Sequence, residues 1–173
     1  KHFSTLNLKE EDTKEGLIKS IKKTLKMQTI IKKWGDLSKE EVEKIFSLRS
    51  EVFIVEQECP YQDVDGRDAE ADHLLLYENN ILCGYTRIFP KNTYFKEASF
   101  GRTVVKKTHR GKGYGHTLVK ESLKYLKKKN EDIVKISAQS YLTEFYTFHG
   151  FVPKGDEYLE DNIPHNAMFL TFS

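Results

Sequence analysis

Between Val104 and His116 the chain reads Val-Val-Lys-Lys-Thr-His-Arg-Gly-Lys-Gly-Tyr-Gly-His. Glycines at 111, 113 and 115 leave backbone N–H groups uncovered, so an anion can approach the main chain closely. A helical pattern opens near Gly113 and runs to about Lys128, which aims the positive end of a helix dipole at the same place. Lys106, Lys107, His109, Arg110 and Lys112 add cationic charge around it. The chemistry implied is a cradle for a phosphate or pyrophosphate. A glycine-rich turn that merely starts a helix is the plain alternative. The β-prone run before it, the helix behind it and the clustered cations favour the anion site. Two familiar phosphate motifs do not fit. The chain has no Gly-x-x-x-x-Gly-Lys-Ser/Thr, and Arg110 opens an Arg-x-x-Gly-x-Gly spacing rather than Gly-x-Gly-x-x-Gly.

A second stretch is dense in carboxylates. Glu56, Glu58, Asp63, Asp65, Asp68, Glu70 and Asp72 face a single cation, Arg67, within Glu56–Asp72. Pro60 and Gly66 make it a loop. A solvated acidic loop is one reading, and a negative wall that attracts a cationic acceptor is another. A calcium loop is a third, but Gly66 comes too early and the distal glutamate is missing. No metal is expected. Cys59 and Cys83 show neither metal spacing nor a disulfide framework, and read as reduced thiols of a cytosolic protein.

The elements that must position these residues belong to one domain of 173 residues. Net charge is +2 and the pI is about 8.4, short of the basic signature of a nucleic-acid binder. No apolar run approaches a membrane span, and the first residues show neither the apolar core nor the small-residue cleavage site expected of a signal peptide. The expectation is a cytoplasmic protein with neither nucleic-acid nor membrane partner. Residues 1–26 hold Leu17, Ile18, Ile21 and Leu25 among lysines, the pattern of a short basic amphipathic helix. They are expected to form an accessory arm docked on the body, residues 27–173.

Thr29–Trp34 reads as a strand. Ser38 and Glu41 then form a capping box, with Leu37 and Val42 as a staple, and an apolar face runs through Ile45, Phe46, Val52 and Phe53. Arg49 lies on that face and needs a partner, either in a buried ion pair or in the site. His73–Tyr77 and Ile81–Phe89 are strands joined by Asn79-Asn80, a hairpin turn. Pro90–Ala98 is a polar loop, and Ser99–Val105 a strand leading into the glycines. Tyr114, Leu118, Ser122, Tyr125 and Leu126 share one helix face. Ile133–Ala138 is a buried strand. Ser140 is expected to cap a helix Tyr141–His149 that Gly150 ends, before a terminal hairpin from Phe151 back through Asn166–Phe172. Strands alternating with helices between hairpins make an α/β layer fold with a mixed sheet.

The Arg110–Gly115 loop resembles motif A of the GNAT superfamily of N-acetyltransferases, which holds the pyrophosphate of acetyl-CoA. Phe145-Tyr146-Thr147-Phe148-His149-Gly150-Phe151 is similar to the Phe-Tyr-x-x-x-Gly-Phe segment of that fold. Leu48–Asp68, with Val52-Phe53-Ile54-Val55-Glu56-Gln57 and Cys59-Pro60-Tyr61-Gln62-Asp63-Val64-Asp65-Gly66, resembles the ElaA-like branch. The resemblance covers roughly Met27 to Phe172. It implies a mostly antiparallel mixed sheet flanked by helices and splayed between the strands Ser99–Val105 and Ile133–Ala138, with acetyl-CoA in the splay.

It further implies that Val104 and Val105 pair with the pantetheine arm, with a backbone N–H near Val105 facing the thioester oxygen. Arg110, Gly111, Lys112, Gly113, Tyr114, Gly115 and His116 would hold the pyrophosphate, Gln139 would join the cofactor site, and Tyr146 would protonate the leaving sulfur. Tyr146 also reads as a core aromatic. The acceptor would be a small-molecule amine or a lysine-bearing peptide, attacking directly in a ternary complex. A non-catalytic acyl-CoA-binding module is the alternative. Arg49, Glu56, Tyr61, Asp63, Asp65, His73 and Arg102 are the candidate acceptor-site residues. Arg102 stands where many GNATs place a glutamate base, and could instead bind an acceptor carboxylate or pair with Asp63 or Asp65. The base is therefore open among His73, Glu56 and His165. Many members of the superfamily are homodimers, and these residues do not decide that for this chain.

Overall fold

The computed structural model describes residues 27–172, so the amphipathic arm expected in 1–26 lies outside the described residues. The strand β1 (Met27–Lys33) pairs antiparallel with β2 (Asp72–Glu78). Strand β1 starts and stops a little before the expected Thr29–Trp34, because Trp34–Asp36 turns into a 3-10 helix. Helix α1 (Lys39–Arg49) begins with the capping box: the Glu41 amide donates to Ser38 Oγ at 3.2 Å, and the Ser38 amide to Glu41 Oε2 at 2.9 Å. The helix then widens into a π-helix over Ser50–Glu56, a form frequent at functional sites.

Strand β3 (Ile81–Phe89) follows β2 through Asn79 and Asn80, both at positive φ, as a tight hairpin demands. Next come β4 (Ala98–Val105), helix α2 (Tyr114–Lys128), β5 (Ile133–Gln139), helix α3 (Thr143–Phe148), β6 (Val152–Pro153), β7 (Tyr158–Glu160) and β8 (Ile163–Thr171). The sheet runs β1-β2-β3-β4-β5-β8-β6, with β7 on β8. Every pairing is antiparallel except β4 with β5. Successive side chains of a strand face opposite layers, so both faces of β2 are apolar. Leu74 and Leu76 lie under α2 with Leu118, Val119 and Leu126, while Leu75 joins Ile45, Leu48 and Val52 under α1 and its π-helical extension.

One expectation near the C-terminus is corrected. Ser140 does not cap an α-helix over Tyr141–His149. Its residues form a 3-10 turn, Ser140–Leu142, and the α-helix starts only at Thr143. The Ser140 hydroxyl instead accepts from Asn166 at 3.0 Å, and its carbonyl accepts from the Thr143 hydroxyl at 2.8 Å. The return expected from Phe151 through Asn166–Phe172 is present, with Val152 opposite Phe169 and Pro153 opposite Met168, and a tighter hairpin, β7–β8, closed by Asp161 and Asn162 at positive φ, lies inside that connection.

Candidate active site

Strands β4 and β5 pair only at Ala98–Val134 and Ser99–Lys135, then part. A β-bulge drives β4 away. Tyr85 faces Val104 and Arg87 faces Gly101, so Arg102 and Thr103 together oppose Thr86. Arg102 takes the left-handed conformation there, at φ 53°. The gap is a cleft of about 960 Å³ open to solvent. Ser99–Thr103 line it from β4 and Ile136–Gln139 from β5, and Tyr61, Tyr146 and His165 also face it.

The backbone of β4 beyond the bulge offers donors to this gap. The Lys106 amide donates back to Cys83 of β3 at 2.8 Å. Amides alternate in direction along a strand, so the Val105 N–H faces the opposite edge, toward the parting from β5. The glycine loop follows. Gly111 and Gly113 hold φ of 77° and 80°, and a side chain there would meet nothing within 4 Å. Those angles favour glycine, and the space above them is open. Among the described residues no backbone acceptor takes the amides of Gly111 to His116, the last three of which are first-turn donors of α2. Gly115 turns toward Phe145, whose ring would lie 3.5 Å from an added Cβ.

The cations of the loop are arranged otherwise than their sequence positions suggest. Arg110 forks onto Glu56 at 2.5 and 3.0 Å, and its Nε donates to the Val105 carbonyl at 3.1 Å. Lys112 reaches Glu78 at 2.8 Å, His109 lies 3.2 Å from the same carboxylate, and the Tyr114 hydroxyl donates to it as well. The His116 ring lies against Phe145 and His149, with Nδ1 2.9 Å from His149 Nε2. The groups of this loop left open to an anion are therefore chiefly its main-chain amides.

The acidic loop is not a solvated charge run. Arg49, fully buried, donates to Asp63 at 2.8 Å and to Asp68 at 2.6 Å, and also to the Asp63 carbonyl at 2.8 Å. Arg87 clasps Asp65 at 2.7 and 2.8 Å. Arg102 donates from Nε to Asp63 at 2.8 Å, as does the Tyr61 hydroxyl at 2.9 Å. Burial pushes the Asp65 carboxyl up, but the Arg87 bonds and the Arg67 amide outweigh it and hold the group well below the usual range. Asp63, Asp65 and Asp68 are thus matched by three guanidiniums, and they are spent on fixing Arg102 and the bulge rather than on a free negative wall. Sequence reasoning missed Arg87, hidden in an apolar strand, and Glu78, the carboxylate that gathers the glycine loop.

His73 and Glu56 lie outside the cleft lining. His73 is fully buried, accepting from the Tyr85 hydroxyl at 2.7 Å and donating to the Asp68 carbonyl at 3.0 Å. Burial lowers its pKa. Tyr146 is buried against Phe100 and Phe151 and reaches both the cleft and Thr103. Burial pushes its phenol up to about 12, so it stays protonated at neutral pH. Gln139 ends β5 at the cleft, where its amide donates to Gln57 at 3.3 Å and it accepts from the Tyr141 hydroxyl at 2.6 Å. No group of three or more ligating side chains suited to a metal occurs among the described residues, and none of their helices is long and apolar enough to cross a membrane.

A splayed sheet with a glycine-loop helix at its mouth is the architecture of one enzyme class, and a model of the acetyltransferase (GNAT) domain matches residues 34–172. The chain belongs to the GNAT family and is a CoA-dependent acyltransferase. Within the family it stands with the ElaA/UPF0039 proteins. It is 40% identical over 140 residues to UPF0039 protein sll0451 of Synechocystis, covering 80% of this chain and 91% of that one. It is 37% identical over 137 residues to ElaA of Escherichia coli, covering 78% and 90%. Among solved structures, an acyl-CoA N-acyltransferase from Pseudomonas aeruginosa superposes with a TM-score of 0.80 at 36% identity, over 84% of this chain and all 100% of that one. The crystal structure of E. coli ElaA gives 0.75 at 32%, over 84% and 99%.

Proposed function

We propose that this enzyme transfers an acetyl group from acetyl-CoA to a primary amine, carried by a small molecule or a lysine side chain, by direct attack within a ternary complex. The observation that carries this reading is the cleft itself. One wall of it is the unpaired edge of β4, one side chain in it is the Tyr146 phenol, and the glycine amides stand at the end of the same strand. The Pseudomonas aeruginosa relative, described as an N-acyltransferase, supports a nitrogen acceptor.

The amides of Gly111 to His116 bind the pyrophosphate, helped by the dipole of α2. Val104 and Val105 align the pantetheine arm as an added strand would. The Val105 N–H donates to the thioester oxygen and to the oxyanion that develops from it. Tyr146 gives its proton to the departing thiolate. Arg102, Tyr61, Asp63 and Asp65 shape the acceptor side, and Arg49 acts on it only through Asp63. Neither cysteine serves as an acyl carrier. Cys83 is buried with its thiol pushed up by that burial to about 11, and the Cys59 thiol donates to the Asp161 carbonyl.

Tyr146→Phe tests the central role. Turnover should fall about 100-fold, while the acetyl-CoA dissociation constant stays within about twofold, since a ground-state contact is not removed. Equal losses in turnover and affinity would show that Tyr146 only shapes the pocket.

A further inference from the structure

The reaction needs a base, because an alkylamine at neutral pH carries a proton and cannot attack. The structure separates the three candidates. Both ring nitrogens of His73 are engaged in the interior, and Glu56 holds Arg110. His165 is different. It sits on β8 opposite Gln139, the last residue of β5, and faces the same cleft as Tyr146.

Its Nδ1 lies 2.7 Å from the carbonyl oxygen of Ile163. A carbonyl only accepts, so Nδ1 carries the ring proton, and a neutral imidazole then presents a bare lone pair at Nε2. No partner for Nε2 occurs among the described residues. The ring is held at that angle by stacking on Tyr158, with centroids 6.1 Å apart and planes at 24°. Tyr158 is in turn fixed by Ser137 at 2.5 Å, and Ser137 by Glu160 at 2.7 Å. The charged and titratable groups that share the cleft with His165 are Glu160 and Asp161 of its own hairpin, and Cys59, Tyr61, Arg87, Tyr94, Arg102 and Tyr146 across it. Arg87 is taken up by Asp65. Arg102 is already pinned to Asp63. The hairpin side of the cleft is therefore its acidic side.

We propose that His165 Nε2 is the general base of the transfer, and that the acceptor arrives as an alkylammonium ion along the side carrying Glu160 and Asp161. This rests on the acetyl-transfer reading. The ammonium gives one proton to Nε2, and the freed lone pair forms the C–N bond. The C–S bond then breaks and the thiolate takes the Tyr146 proton. The nitrogen's second proton restores Tyr146, and the imidazolium releases its own to water. The sum is amide, CoA thiol and one proton.

The test uses His165→Asn, whose side-chain amide can still donate to the Ile163 carbonyl but offers nothing at Nε2. Wild type and variant are assayed with acetyl-CoA and matched primary amines, each alkylamine beside its fluorinated, weakly basic analogue, such as ethylamine and 2,2,2-trifluoroethylamine. The expected result is a loss of at least about 100-fold in kcat/KM for the alkylamines and under about tenfold for the weakly basic ones, which need no base. The variant's residual rate on alkylamines should climb with pH up to the pKa of the amine. A nitrogen NMR spectrum of labelled wild type should show neutral His165 protonated at Nδ1. Equal losses for both amine types, or a proton on Nε2, would overturn the base and leave the acetyl-transfer reading standing. A wild type that binds acetyl-CoA and acetylates none of the amines would overturn both.

Discussion

Replacing Arg49 by Met should be among the most damaging changes in the protein, although Arg49 is not in the cleft lining. Three charged hydrogen bonds disappear, two to the carboxylates of Asp63 and Asp68 and one to the Asp63 carbonyl. Both carboxylates are buried, and Asp68 Oδ2 already lacks a partner. Asp63 keeps Arg102 and Tyr61, and Asp68 keeps only Arg87 at 3.2 Å. Breaking a buried pair from one side costs about 3–5 kcal/mol, because the charge left behind has no water to return to. At about 2–4 °C per kcal/mol for a chain of this size, the midpoint of thermal unfolding should drop by roughly 6–20 °C. Thermal unfolding followed by circular dichroism measures that midpoint, and urea unfolding measures the free energy. The triple variant Arg49→Met, Asp63→Asn, Asp68→Asn should regain part of the loss, since neutral amides do not require a cation. A single-variant loss below about 1 kcal/mol with an unchanged urea slope would refute the reasoning, for it would mean the network is worth no more than a surface pair.

Glu56→Gln should release the Arg110 fork. The pair is partly exposed, with side chains at 41% and 30%, so it is worth at most about 1 kcal/mol, and acetyl-CoA should bind up to about fivefold tighter by calorimetry. Weaker binding would mean Arg110 does not reach the cofactor. Asp65 is held below its unfolded pKa, so its ionisation stabilises the fold above about pH 4 and that stability is lost as pH falls toward the folded value. Asp65→Asn should therefore unfold at lower urea than wild type at pH 7, yet lose less further stability on acidification below about pH 4.

What the chain discloses on its face is whatever local chemistry decides. The capping box needs residues only three positions apart, and the Asn79-Asn80 turn needs only neighbours. The glycine loop carries its own reason, since positive φ and bare amides come from residue type. The pairings that fix the cleft wall and the glycine loop are distant. Arg49 finds its carboxylates 14 and 19 residues away, and Arg110 finds Glu56 54 residues away. A count of charges along Glu56–Asp72 could not show that Arg49, Arg87 and Arg102 converge there. Ser140 looked like a cap because serine often is one, but Asn166 from β8 claims its hydroxyl. The bulge at Arg102 was equally hidden, because nothing in Phe100-Gly101-Arg102-Thr103 marks the left-handed residue as the arginine rather than the glycine.

The central claim is that main-chain amides of the glycine loop hold the donor. Calorimetric titration of acetyl-CoA into wild type, Gly113→Ala and Gly113→Trp tests it most directly. Alanine and tryptophan share the strain of a left-handed position, at roughly 1–2 kcal/mol, but only tryptophan fills the open space above the loop. Binding by wild type, clear binding by the alanine variant and none by the tryptophan variant at equal helical content are expected. A folded tryptophan variant that binds acetyl-CoA like wild type, or a folded wild type that does not bind it, would contradict that claim.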